Sequence, residues 1–177
     1  MNINSIELLD INNSIIDKFK QTIISTHVNG GIIIKCFKIN NKNLLSPYLC
    51  EEHERYFNNF FTSKDIKQAI PELKIEDELV CKTDFERISP FLLDGDFGDT
   101  IYHGGAYESF PGTPKEAKNL GEELCQFIFG DRILDILPYR SYNPWSTWFY
   151  DVAWDCTWFL IDKELKRIWL ICVTDTD

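Results

Sequence analysis

The sequence predicts an α+β fold: a single domain over residues 1–177, with an antiparallel or mixed sheet of about four to six strands and helices packed on one face, ending in a β-hairpin. Three observations predict it. The two most apolar stretches, 152–161 and 167–174, are separated only by Asp162 to Lys166, a span too short for anything but an antiparallel turn. Helix and strand signals are interleaved along the chain without the regular βαβ alternation of a doubly wound sheet. The 177 residues, 44% of them hydrophobic and 26% charged, suit one well-buried core, and no repeat, low-complexity tract or linker divides them.

Residues 1–12 form a lead-in without a clear pattern. Ser14 is placed to cap a helix that runs to about Thr26, with Ile15, Phe19, Thr22, Ile23 and Thr26 at helical spacing. Asn29-Gly30-Gly31 stops it, since glycine accepts the left-handed conformation. Ile32 to Ile39 is β-branched and aromatic, hence a strand. Residues 50–61 read as a helix with an aromatic face of Tyr56, Phe57, Phe60 and Phe61. A short helix over 63–70 follows, capped by Ser63 and ended by Pro71. Glu78 to Thr83 reads as a strand. Asp94 to Gly112, rich in Asp, Gly and Pro, reads as a long loop with a short strand at Thr100 to His103.

The best-specified element spans 113–129. Thr113 is the N-cap, Pro114 sits at the first helical position and Glu116 completes a capping box. Gly130 lies where a terminating glycine belongs. Arg132 to Leu137 reads as a strand ended by Pro138, and 139–151 as an aromatic connection. In the final hairpin Trp154, Cys156, Trp158 and Leu160 share one face, and Asp155, Thr157, Phe159 and Ile161 the other. Both faces look covered, so this strand is expected to be central.

Charge and composition exclude several functions. With 28 acidic against 18 basic residues the net charge is −10, which argues against a nucleic-acid backbone or an anionic membrane as partner. The longest apolar run, Ile168 to Val173, is six residues, where a spanning helix needs about 20. Met1 to Glu7 lacks the basic start of a signal peptide, so a cytoplasmic protein is expected. Cys36, Cys50, Cys81, Cys125, Cys156 and Cys172 have no zinc-ligand spacing and no CxxC, and they read as reduced, mostly core residues. No P-loop, GxGxxG or H-E-x-x-H motif occurs, and no catalytic residue, metal ligand or cofactor site is assigned.

Two features point to protein recognition. Residues 71–108 carry a net charge of −7, most of the excess in the chain, including Glu76, Asp77, Glu78, Asp94, Asp96 and Asp99. Acid gathered in one stretch steers a basic partner. Between Tyr139 and Trp158 lie eight of the 25 aromatics, and Tyr142, Trp145 and Trp148, beside Ser141, Pro144 and Ser146, are the candidates for exposed anchors. The alternative for Asp94, Asp96, Asp99 and His103 is a hard cation that activates water in a hydrolase. A non-catalytic adaptor domain is the third reading.

The closing segment Trp154-Asp155-Cys156-Thr157-Trp158-Phe159-Leu160-Ile161-Asp162, followed by Ile168 to Asp175, resembles the C-terminal hairpins of bacterial toxin-system immunity proteins, including those of contact-dependent growth inhibition. The resemblance implies a cognate inhibitor that binds a toxin domain, commonly a basic nuclease, and blocks it by occlusion. Acidic side chains would then stand where phosphates stand, and Glu76, Asp77, Glu78, Asp94, Asp96, Asp99, Tyr142, Trp145 and Trp148 would be the contact residues.

Overall fold

The C-terminal hairpin is the middle of the sheet. In the computed structural model, which describes residues 6–45 and 53–177, β5 (Cys156–Asp162) pairs antiparallel with β6 (Arg167–Thr174). Asp162 Oδ1 accepts from the Leu165 N–H across the turn, and Lys166 takes a positive φ of 52° to close it. Around this pair the chain builds a six-stranded sheet of order β1-β2-β6-β5-β4-β3, every pairing antiparallel. The remaining strands are β1 (Ile6–Leu9), β2 (Gly31–Ile39), β3 (Glu86–Arg87) and β4 (Ile136–Ser141). The predicted helix start at 50 and Cys50 lie outside the described residues.

Helices cover both faces of the sheet rather than one, because β2, β5 and β6 bury side chains on both sides of the pleat. On one face, Phe37, Phe159, Ile161 and Leu170 meet α2 (His53–Phe61) and α3 (Lys64–Ala69). Phe159 is the hub of an aromatic cluster there, edge-on to Phe57 at 5.2 Å and to Phe60 at 4.9 Å. On the other face, Cys36, Trp158, Leu160 and Ile171 meet α1 (Ser14–Thr26), α4 (Leu93–His103) and α5 (Pro114–Ile128).

Local signals place several elements as expected. Thr113 and Glu116 form the capping box at the start of α5, and Gly130 follows its end with a φ of 53°. The cap of α1 is Asn13, whose Oδ1 accepts from the Ile15 N–H, rather than Ser14. β1 lies within the lead-in, where no clear sequence pattern marks a strand.

The largest correction concerns 94–103. This stretch is helix, not loop, and Thr100 to His103 is its last turn rather than a strand. Leu93, Phe97 and Ile101 are spaced by four and fully buried, so packing overrides the turn preference of Asp and Gly. Glu78 to Thr83 is not a strand either. The strand on the outer edge of β4 is Glu86 and Arg87, which sit opposite Arg140 and Tyr139. The segment is held instead by side chains: Glu54 accepts from the N–H groups of Thr83 at 2.7 Å and Asp84 at 3.1 Å. The strand expected over 132–137 begins later, after a tight turn at Ile133–Asp135, and runs through Pro138. Proline is tolerated there because its side of the backbone faces the sheet edge, where its carbonyl accepts from the Ile88 N–H.

Four of the five described free cysteines, Cys36, Cys125, Cys156 and Cys172, are buried, and burial raises their thiol pKa values, to about 12 for Cys36 and Cys125. Buried carboxylates close the ends of the central hairpin. Asp155 accepts from the Val152 N–H and the Thr174 hydroxyl. Asp175 accepts from the N–H groups of Asn29 at 2.9 Å and Ala106 at 2.8 Å, tying the end of α1 to the loop after α4.

His27 is buried beside Asp175, and its imidazole is held below the ordinary 6.5 by burial, with Asp175 opposing. The unfolded chain therefore takes up the proton first. Stability is expected to fall as the pH drops from about 7 to 5, and His27→Gln to flatten that fall. His53, also lowered by burial, supplies a slope of the same sign that remains. Urea midpoints across this range test it, and an unchanged slope in the variant rejects the assignment.

Candidate interaction surface

The nine residues singled out by sequence do not form one surface. The acids of α4 diverge. Asp94 reaches Lys118 of α5 at 3.6 Å. Asp96 turns to the sheet, where its Oδ2 accepts from Arg140 Nη1 at 2.7 Å, with the Trp158 Nε1 at 3.5 Å. Asp99 faces solvent, 3.3 Å from His103 one turn on. A cation site needs converging oxygens. These carboxylates go to three separate partners, so the arrangement expected for a hydrolase is not assembled. Among the described residues no three His, Cys, Asp or Glu side chains are grouped to hold a metal ion.

Tyr142 lies on this same face of the molecule. It is 57% exposed, and the Arg140 guanidinium stands 4.9 Å from its ring centre. Partial burial holds its phenol above the usual range, and the Asp96 and Asp99 carboxylates add to that while Arg140 opposes it. One polar chain thus runs from α4 through Arg140 to an exposed aromatic: Asp96 fixes Arg140, and Arg140 carries Tyr142.

Glu76, Asp77, Glu78 and Trp148 lie across the sheet. Ile75, Leu79, Cys81 and Trp148 pack on the face that holds α2 and α3. The Val80 N–H donates to the Trp145 carbonyl at 3.1 Å, and the Thr147 hydroxyl to the Lys74 carbonyl at 3.3 Å. The three acids are exposed, and Asp77 is paired with Lys67 at 2.7 Å, which draws its carboxyl below the usual range.

Trp145 is no anchor. It is fully buried, stacked on Phe61 at 4.1 Å, and its Nε1 donates to the Thr157 hydroxyl at 3.0 Å. Trp148 is half-buried, edge-on to Phe149 at 5.1 Å.

Sequence reasoning missed the exposed apolar residues of the α4 side. Phe91 and Leu92 are 63% and 58% exposed, and Leu134 is 78% exposed. The turn Pro90–Leu92 leads directly into α4 and lies against the turn Ile133–Asp135, which brings the three residues near the start of the helix. The only sequence signal was Phe91-Leu92 between Pro90 and an acidic run, and it names no neighbour. The exposed residues of the α4 side are thus Leu134, Phe91 and Leu92 near its start, and Asp99 and Tyr142 beyond it. Among the described residues, no helix is long and apolar enough to cross a membrane. Neither the models of known protein families nor the curated proteins contain a match to this chain.

Proposed function

We propose that this protein is a cytoplasmic immunity protein that neutralises a cognate bacterial toxin domain, a basic nuclease, by stoichiometric occlusion through the α4 side. The observation that carries the reading is the exposure of Phe91, Leu92 and Leu134 near the start of the helix that carries the exposed Asp99. Large apolar side chains left in water next to one sign of charge favour a protein partner of the opposite sign.

The residues divide the work. Phe91, Leu92 and Leu134 supply the apolar centre of the contact. Asp99 and Tyr142 meet Lys and Arg side chains of the toxin, in the place of substrate phosphates. Asp96 stays on Arg140 and keeps Tyr142 in position. A standard interface covers roughly 800 Å² on each partner, so one toxin domain does not span both faces of the sheet. The α4 side is therefore the contact, and Glu76, Asp77, Glu78 and Trp148 lie outside it.

The test is calorimetric titration against the toxin domain encoded beside the gene, together with rescue of growth on co-expression. Replacing Phe91 and Leu134 together by alanine is expected to weaken binding by about 2–4 kcal/mol, and Asp99→Ala by about 1 kcal/mol or less. Both variants are expected to keep the urea midpoint of the parent, since all three side chains are exposed. Undiminished affinity in the double variant overturns the surface. Failure of the protein to bind or protect against that toxin overturns the function and returns weight to the adaptor reading.

A further inference from the structure

Packing requires a glycine at position 30. A Cβ there would stand 2.0 Å from the Thr174 carbonyl oxygen and 2.6 Å from the Asp175 Cα, both backbone atoms. The residue before it is Asn29, exposed in the turn between α1 and β2. The fold thus keeps an Asn-Gly pair at the surface. Asparagine followed by glycine is the pair most prone to lose its side-chain amide, because glycine has no Cβ to shield its own nitrogen.

Three hydrogen bonds hold the pair. The Asn29 N–H donates to Asp175 Oδ1 at 2.9 Å, Asn29 Nδ2 to the Thr176 carbonyl at 3.0 Å, and the Gly30 N–H to the His27 carbonyl at 3.3 Å. Loss of the amide needs the Gly30 nitrogen to meet the Asn29 side chain, and both are engaged elsewhere. The Gly30 bond is long for an N–H···O contact, so the stronger restraint is the pair of bonds to Asp175 and Thr176.

We propose that Asn29 is a self-modification site, converted to aspartate and isoaspartate when the segment Asp175–Thr176 lifts away, and that conversion keeps the segment from closing again. In the open state the Gly30 nitrogen attacks the Asn29 Cγ. The N–Cγ bond forms, the Cγ–Nδ2 bond breaks, and the Gly30 amide proton departs with Nδ2 as ammonia. Water then opens the cyclic imide at one of its two carbonyls, adding its hydroxyl to that carbon and its proton to the Gly30 nitrogen. Opening at Cγ gives aspartate, and opening at the backbone carbonyl gives isoaspartate. Either product has a carboxylate in place of the Nδ2 donor. An acceptor then faces the Thr176 carbonyl, and negative charge is added next to the fully buried Asp175, which already accepts from the Ala106 N–H at 2.8 Å. Asn29 follows the end of α1, and the proposal does not rest on the toxin-binding reading.

The test incubates the whole chain in mildly alkaline buffer and maps the peptide carrying Asn29 by mass spectrometry, with isoaspartate detected in the same peptide. Conversion is expected in the folded protein, slower by about tenfold or more than in the urea-unfolded chain, as a required local opening implies. Asp175→Asn, which weakens the hold on the Asn29 N–H, is expected to speed conversion. If that variant does not fold, urea below the parent's midpoint is expected to do the same. Asn29→Asp, the product placed by mutation, is expected to lower the urea midpoint more than Asn29→Ala, which loses the donor without adding charge. A folded protein in which Asn29 stays intact while the unfolded chain converts fully overturns the site. Equal rates in folded and unfolded chains overturn the gating by Asp175 and Thr176. A midpoint for Asn29→Asp at or above that of Asn29→Ala overturns the block on reclosure.

Discussion

Replacing Trp145 by alanine is expected to remove about 3–5 kcal/mol of folding stability, the range for deleting a buried large aromatic side chain. The indole is fully buried, stacked on Phe61 at 4.1 Å and edge-on to Phe149 at 5.3 Å. Its removal opens a void next to Phe61 and takes the Nε1–H from the buried Thr157 hydroxyl. Trp145→Phe keeps most of the packing and loses only that hydrogen bond, so it is expected to fall between. The contrast is Tyr142→Ala, at an exposed position, which is expected to shift stability by less than about 0.5 kcal/mol while weakening toxin binding. Urea unfolding gives the comparison directly. A Trp145→Ala protein with the parent's midpoint would show that the indole does not hold the core.

Gly121→Ala is the second large effect, and it reaches the proposed contact surface through packing. A Cβ at Gly121 would stand 2.3 Å from the Asp94 carbonyl oxygen and 3.0 Å from the Gly98 nitrogen. One at Gly98 would stand 2.8 Å from the Lys118 Cα. These are backbone atoms, so no side chain can turn aside, and α4 and α5 must move apart. Alanine is the better helix former by about 1 kcal/mol, yet overpacking of this kind costs about 1–3 kcal/mol and here falls at the upper end. The net expectation is a loss of about 1–2 kcal/mol, with weaker toxin binding as Asp99 shifts relative to Tyr142. Gly95→Ala is the matched control on the same helix. Nothing lies within 4 Å of its added Cβ, so it is expected to stabilise by about 0.5–1 kcal/mol. Equal midpoints for Gly121→Ala and Gly95→Ala would refute the close crossing.

These variants show where local pattern suffices and where it fails. α5 is legible because its capping box and terminating glycine act within a few residues of each other. The hairpin of β5 and β6 is legible for the same reason, through a turn that joins neighbours. α4 is not. Its glycines read as turn formers, and the reason they stand in a helix is the backbone of α5. Trp145 and Tyr142 are both aromatic residues in one polar, proline-containing stretch. What separates them is a ring from α2 on one side and solvent on the other. The acids of 71–108 are visible as a charge excess, but their division between two faces follows from the path of the chain around the sheet. Leu134 joins Phe91 and Leu92 only because two tight turns meet in the fold.

The position of the hairpin also sets an order in time. β1, α1 and β2 leave the ribosome first, and their inner partner is β6, the last strand to be made. The inner edge of β2, complete at Ile39, stays unpaired until β6 emerges at 167–174, whereas β4 waits only for β5 at 156–162. The final collapse joins strands far apart in sequence in one late step, which makes it slow by contact order and cooperative by construction. A ribosome stalled before β6 would therefore carry a chain whose β1–β2 and β3–β4–β5 pairings lack the strand that joins them into one sheet.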